Sequence, residues 1–238
     1  MSPIHLSVVV PAFNEEKRVP LTLPGVVDYL RRQSFSSEII LVDDGSMDAT
    51  VREAERVLDD FEHKILRNEQ NRGKGYSVRR GILASRGRYV LFSDADFSTP
   101  IEEVEGFLTE LEKNYGIVIG SRALANSQIE EHQPFWREIM GRVFNRFAQI
   151  FAFRDILDSQ CGFKAFRGDL ARRLFAQQKL DGFSFDAEIL YLAQKEGILI
   201  LEKPVVWRNS PQSRVKLLSD PVKMFFDLVK IRWLHRQG

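Results

Sequence analysis

Short β-branched apolar runs alternate with amphipathic stretches through the first half of this chain. Residues 6–10 form an apolar run that ends at Pro11, which predicts a buried parallel strand. Residues 20–33 place Leu21, Leu23, Val26, Val27 and Leu30 near helical spacing. Residues 38–42 (EIILV) predict a second strand, closed by Asp43-Asp44-Gly45-Ser46. A helix follows over 50–61, then a weaker strand over 64–67 and a helix over 75–85. A strand over 89–93, a helix over 101–113 and a strand over 116–120 complete this half. Strands that alternate with helices predict an α/β fold, a mostly parallel, Rossmann-like sheet with helices on both faces. Ligands of such sheets lie outside the C-terminal strand ends, where the polar motifs of this chain fall.

The second half is less regular. Residues 134–153 predict a long helix rich in aromatics, 170–176 and 187–196 two further helices, and 198–202 and 205–207 strands flanking Pro204. The tail over 221–235 is amphipathic. With no internal repeat and no clear linker, residues 1–238 read as one domain.

Composition narrows the class. Of the 238 residues, 44% are hydrophobic and 28% charged, enough for a real core and incompatible with a disordered chain. Lys and Arg number 34 against 33 Asp and Glu, and this near-neutral balance argues against a general nucleic-acid binder. The single cysteine, Cys161, makes neither an internal disulfide nor a Cys-based zinc site, so a reducing compartment is expected. No apolar run approaches the ~18–20 residues that span a bilayer. The first residues, MSPIHLSVVVPAFNEE, lack a basic region and a small-residue cleavage site. A cytoplasmic protein with at most peripheral membrane contact is expected.

The strongest chemical signal is Asp94-Ala95-Asp96, directly after a buried strand. Two carboxylates two residues apart can converge on a hard cation, Mg²⁺ or Mn²⁺, completed by substrate phosphates. The same residues also suit a solvated turn that caps the next helix. The other strand ends shift the balance. Strand one ends in Pro11-Ala12-Phe13-Asn14-Glu15, and strand two delivers Val42, Asp43 and Asp44 to the edge where nucleosides bind in doubly wound sheets. Asn71-Arg72-Gly73-Lys74-Gly75 places two glycines around a lysine at a helix start, which suits anion binding by amides with Lys74 as counter-charge, or an ordinary glycine-rich turn.

At these four segments the chain resembles the family-two glycosyltransferases with the A-type fold. SVVVPAFNEE, IILVDDGSMDAT, NRGKG and LFSDADFSTP occur in that family's order and spacing. Within it the likeness is closest to polyprenyl-phosphate glycosyltransferases, carried by Gly120-Ser121-Arg122. Asp158 to Lys164, Phe185-Asp186-Ala187-Glu188 and Val206-Trp207 resemble dolichyl-phosphate glucosyltransferase segments. The resemblance implies that Pro11, Ala12, Phe13, Glu15, Val42, Asp43, Asp44, Lys74 and Ala95 belong to the nucleotide-sugar site in about residues 1–125. It implies that Asp94 and Asp96 hold the metal and that Arg122 and Arg137 hold an acceptor phosphate. Arg208 and Arg214 would close on the diphosphate, although Pro211-Gln212-Ser213-Arg214 lacks the family's glycine, and Ser98 stands where mannosyltransferases of this subgroup carry Gln. About residues 126–238 would then be the acceptor side.

The implied reaction is inverting transfer of a hexose, with glucose from UDP-glucose expected, to a polyprenyl phosphate. A phosphate monoester is largely dianionic at neutral pH, its second pKa lying near ~6, and so needs no base. Transfer to a sugar hydroxyl would need a carboxylate base, with Asp158, Asp186 and Glu188 as candidates. An idle nucleotide-sugar binding module is the third reading, disfavoured because both Asp94 and Asp96 are present. His5, His63, His132 and His235 read as structural or surface residues, and Cys161 as a packed side chain. Two basic, aromatic-rich stripes suit either an anionic membrane surface or packing on the sheet. One runs from Phe135 and Trp136 to Phe151 and includes Arg142 and Arg146. The other runs from Lys223 to Arg236.

Overall fold

The computed structural model describes residues 3–131, 135–209 and 219–236. Five strands open the chain: β1 (Leu6–Ala12), β2 (Ser37–Asp43), β3 (His63–Arg67), β4 (Tyr89–Ser93) and β5 (Ile117–Ser121). They alternate with α1 (Val19–Arg31), α2 (Thr50–Leu58), α3 (Lys74–Ala84) and α4 (Val104–Lys113). The rest of the described chain comprises β6 (Gln128–Glu131), α5 (Phe135–Phe151), β7 (Phe163–Arg167), α6 (Gly168–Gln177), α7 (Phe185–Lys195), β8 (Ile200–Pro204), β9 (Val206–Arg208) and α8 (Ser219–Leu234).

Seven strands form one sheet in the order β3-β2-β1-β4-β7-β5-β8. The apolar runs of β1, β2, β4 and β5 are buried throughout because helices cover both faces. One face packs Leu23, Val27 and Leu30 of α1, Leu58 of α2 and Phe107 and Leu111 of α4. The other packs Val78 and Ile82 of α3, Leu174 and Phe175 of α6, Phe185 and Ile189 of α7, and Leu228 and Ile231 of α8.

The expected parallel sheet forms, with one departure. Strand β7 runs antiparallel between β4 and β5, with Ser93 opposite Phe163 and Ile117 opposite Phe166. The sequence FKAFR conceals it: Lys164 interrupts an otherwise apolar run, yet it is 2% exposed. Direction matters here. An antiparallel β7 begins, rather than ends, at the C-terminal edge of β4, so the 158–162 loop is delivered beside Asp94. The polar segment QIEE forms β6, which pairs with β9 in a separate two-stranded sheet. The run expected as a strand over 205–207 therefore belongs to this small sheet, while β8 closes the main one.

Candidate active site

The ends of β1 and β2 are laced together. Asn14, at φ 53°, donates its N–H to Ser46 Oγ (2.8 Å), and its Oδ1 accepts the Met47 N–H (3.0 Å). Glu15 donates its N–H to Thr50 Oγ1 (2.7 Å) and pairs its carboxylate with Arg18 (2.7 Å). Pro11 and Ala12 end β1, and Phe13 follows directly before Asn14. Asp43 and Asp44 turn inward. Asp43 accepts the Ser46 N–H and pairs with Arg67 at 3.4 Å. Asp44 accepts Asn68 Nδ2 at 2.7 Å, the Arg72 N–H at 2.9 Å and the Gly73 N–H at 2.8 Å. The anion held by the first amides of the glycine-rich loop is thus Asp44 itself, one element of the site gripping another. Beside them an open cleft of about 520 Å³ is lined by Gly45, Ser46, Met47, Arg67, Asn68 and Glu69.

Gly73, at φ 107°, ends that loop in a conformation open to glycine, and α3 begins at Lys74. Lys74 Nζ meets Asp94 Oδ1 at 2.6 Å and lies 5.2 Å from the Phe92 ring centroid. Burial opposes the Lys74 charge, but Asp94 and Asp186 outweigh it and raise the ammonium's pKa. Asp94 donates its N–H to Gly162 C=O at 3.0 Å. Ala95 offers its carbonyl to Thr22 Oγ1 at 2.9 Å, and Asp96 Oδ1 accepts the Ser98 N–H at 3.0 Å. Burial, reinforced by the Asp94 charge, raises the pKa of Asp96.

No group of three or more His, Cys, Asp and Glu side chains among the described residues could by itself hold a metal. A two-carboxylate donor set nevertheless suits Mg²⁺ or Mn²⁺, because such cations are commonly bound by one or two carboxylates together with substrate phosphates. Burial first and the Asp94 charge second disfavour the ionised Asp96, and a bound cation would offset both. The residues fit the expected metal.

On the other side of the Asp pair, Arg122 leaves β5 and is clamped by Asp158. Arg122 Nε donates to Asp158 Oδ2 at 2.7 Å, Nη2 to Oδ1 at 2.8 Å, and the Arg122 N–H to Oδ2 at 2.9 Å. Its guanidinium lies 5.4 Å from the Trp207 ring centroid. Burial opposes the Asp158 charge, but Arg122 overrides it and lowers the carboxyl to about 2. Both Asp158 oxygens are therefore engaged by Arg122. Burial and then Asp158 push the Cys161 thiol up to about 11, in keeping with a packed, unreactive side chain.

Asp186 lies 2.7 Å from Lys164, and both side chains are buried. Burial raises the Asp186 pKa while Lys164 holds it back. Lys164 is the site residue that pattern reasoning misses. The only hint is a lysine inside an apolar run straight after Gly162-Phe163. Glu188 is fully buried, accepts the Lys179 and Leu180 N–H groups at 2.8 and 2.9 Å, and meets His235 Nε2 at 2.6 Å. His235 is thus structural, as expected. Arg208 pairs with Glu130 of β6 and donates its N–H to Ser98 C=O at 2.8 Å, which ties β9 to the Asp94–Ser98 turn. The Arg137 side chain and the whole of Arg214 lie outside the described residues.

This arrangement of strand ends has counterparts in known proteins. A model of the family described as "Glycosyl transferase family 2" matches residues 7–175. The chain belongs to glycosyltransferase family 2. Among its curated relatives, a dolichyl-phosphate beta-glucosyltransferase of Dictyostelium discoideum is 40% identical, with 99% of this chain and 76% of the relative covered. Its Saccharomyces cerevisiae namesake is 35% identical over the same shares of both chains. A solved structure of the same fold is glucosyl-3-phosphoglycerate synthase from Mycobacterium tuberculosis in complex with Mn²⁺, UDP and glucosyl-3-phosphoglycerate. It has a TM-score of 0.62 at 18% identity and covers 99% of this chain and 81% of that one. The A-type glycosyltransferase fold expected from the motifs is therefore the fold this family-two chain adopts.

Proposed function

We propose that this chain transfers glucose from UDP-glucose to a dolichyl-type polyprenyl phosphate, with inversion at the anomeric carbon. The observation that carries this reading is the state of the three candidate bases. Asp158 has both oxygens on Arg122, Asp186 faces Lys164, and Glu188 is buried on backbone amides and His235. Transfer to a sugar hydroxyl would need one of them free, whereas a phosphate dianion is a nucleophile without help. The relatives named as dolichyl-phosphate beta-glucosyltransferases support the same acceptor and sugar.

In this reading Pro11, Ala12, Phe13, Val42, Asp43 and Asp44 wall the nucleoside side, next to a cleft whose size suits such a group. Glu15 keeps that wall in place through Arg18. Asp94 and Asp96 would hold Mg²⁺ or Mn²⁺, which when bound neutralises charge on the leaving diphosphate. The fold neighbour solved with Mn²⁺ and UDP makes that assignment consistent with the fold. Arg122 holds the acceptor phosphate in a preset orientation, because Asp158 and the Trp207 ring fix the plane of its guanidinium. The role of a second acceptor-phosphate residue is assigned to Arg137, and that of diphosphate residues to Arg208 and Arg214. Residues 1–125 then serve the donor and 126–238 the acceptor, within one domain.

Peripheral attachment to an anionic, cytoplasmic membrane face belongs to the same proposal. No helix among the described residues is long and apolar enough to cross a membrane. Yet α8 has two apolar faces. Leu228 and Ile231 are buried, while Phe226, Val229 and Trp233 are 68%, 50% and 70% exposed. On α5, Val143 and Ile150 are exposed beside Arg142 and Arg146, while Phe147 packs edge-on against Phe225 at 4.8 Å. The lipid acceptor's tail requires such an approach.

The test is a panel of UDP- and GDP-sugars with a short polyprenyl phosphate, read by product mass. Glucosyl transfer to the lipid phosphate from UDP-glucose is expected. Turnover only with sugar-hydroxyl acceptors would overturn the reading.

A further inference from the structure

Lys74 occupies the oxygen that a cation ligand must offer. Its Nζ lies 2.6 Å from Asp94 Oδ1, with the two side chains 21% and 36% exposed. The other flank of the carboxylate is closed: a Cβ added at residue 162 would stand 2.0 Å from Asp94 Oδ2. Asp94 is therefore held between an ammonium and the bare backbone of Gly162, with little room to turn aside. Besides the Asp94–Asp96 pair, the carboxylate that acts on Lys74 is Asp186, which already has Lys164 at 2.7 Å.

The Lys74 backbone is equally fixed. Asp44 grips the amides of Arg72 and Gly73 just before it, and a Cβ on Gly75 just after it would meet Phe185 Cβ at 2.7 Å and the Gly182 carbonyl oxygen at 2.8 Å. Any movement of the ammonium is confined to the four-carbon stem, whose rotatable bonds carry the charge without shifting the helix.

We propose that Lys74 is the resident counter-ion of Asp94, exchanged on loading. Its ammonium leaves Asp94 Oδ1 when a divalent cation binds there and turns to the diphosphate oxygens of the donor. The exchange couples cation and nucleotide binding through one side chain. A cation arriving alone strands the lysine; arriving with a diphosphate, it leaves the ammonium with a new anion. This inference rests on Asp94 and Asp96 being the cation ligands.

The experiment is Mn²⁺ titration of the full chain, by calorimetry and by the electron paramagnetic resonance signal of free Mn²⁺, with and without UDP. Lys74→Met and Lys74→Gln should bind Mn²⁺ without UDP about fivefold or more tighter than the unaltered chain, the low end of coupling between linked sites. The gain in Mn²⁺ affinity that UDP brings should shrink by a similar factor. Lys74→Arg, which keeps the charge, should leave nucleotide-free Mn²⁺ binding weak. Unchanged or weaker nucleotide-free Mn²⁺ binding in both neutral variants overturns the inference. Asp96→Ala, run in parallel, tests the underlying reading separately: if it leaves Mn²⁺ binding intact with UDP present, the ligand assignment fails whatever the Lys74 variants do. Thermal melts by circular dichroism restrict the comparison to folded variants, and Lys74→Gln keeps the inference testable should Lys74→Met not fold.

Discussion

Asp94 and Gly162 meet where β4 ends and β7 begins. The Asp94 N–H donates to the Gly162 carbonyl at 3.0 Å, and the Asp94 carboxylate lies across the face of Gly162 that a side chain would occupy. Gly162→Ala should therefore displace the carboxylate while leaving the sheet intact. The expected outcome is a folded protein with transfer lowered by about 10²-fold, the scale of one lost electrostatic stabiliser. Unfolding curves together with turnover check it. Near-normal turnover would show that the contact is incidental.

Asp96 should trade stability for function. Burial and the Asp94 charge raise its pKa in the fold, so the ionised form is disfavoured there relative to the unfolded chain. Removing the charge relieves that cost at neutral pH. Asp96→Asn should raise the melting temperature of the ligand-free protein and lower transfer by about 10²-fold or more. The sign also sets the pH dependence: as pH falls, Asp96 takes up its proton before an ordinary Asp does, and transfer declines on the acid side first. A lowered melting temperature would contradict the origin assigned to the shift.

The Arg122–Asp158 clamp predicts the opposite dependence. Asp158 is lowered from 3.8 to about 2, so its contribution to stability is fully present above pH 3.8 and is lost as pH falls toward about 2. Asp158→Asn leaves a mostly buried guanidinium short of its counter-ion and should cost about 1–3 kcal/mol at neutral pH. Because Arg122 loses its fixed orientation, KM for the lipid phosphate should rise while donor affinity holds. Chemical denaturation at neutral and acid pH, with calorimetry on each substrate, measures both effects. Loss of donor binding alone would reassign the pair.

Full-length protein should float with anionic liposomes at low salt and be released at high salt. Each Lys or Arg near the surface contributes about 1 kcal/mol, which salt screens, and α8 with its C-terminal flank carries Lys223, Lys230, Arg232 and Arg236 against Asp220 and Asp227. Replacing Phe226 and Trp233 together by Ser should weaken flotation and leave the fold unchanged, because both side chains are largely exposed. Absence of binding at low salt would assign the outer face of α8 to some other contact.

Most of the main sheet and the polar residues at its C-terminal edge were legible in the sequence because their signals are local. A strand buried on both faces is apolar throughout, as in β1 and β2, and the residues that leave its end follow it directly in the chain. Asp94, Asp96, Asp43 and Asp44 could be placed at strand ends for that reason, whereas Arg122 was singled out by the family resemblance. The amphipathic tail was legible too, but not which of its apolar residues faces inward. A helix pattern shows that a side is apolar; the packing of Leu228 and Ile231, with Phe226 and Trp233 left outside, depends on what the helix meets.

Only the tertiary structure decided the partners. Strand β7 is weak by pattern because Lys164 breaks it, yet pairing with β4 and β5 on both sides stabilises it and sinks that lysine against Asp186. The glycine-rich loop reads as an anion cradle, and its anion is Asp44, set 28 residues from the first amide it binds and 29 from the second. Asp158 reads as a candidate base until Arg122, 36 residues away, takes both its oxygens. The sequence alone determined most of the strands and helices, though not β6 or β7, and which chemical groups follow the strands it predicts, because propensity and periodicity act between near neighbours. Which charge neutralises which was left to the fold, because Coulomb attraction and burial act through space between residues that chain order keeps apart.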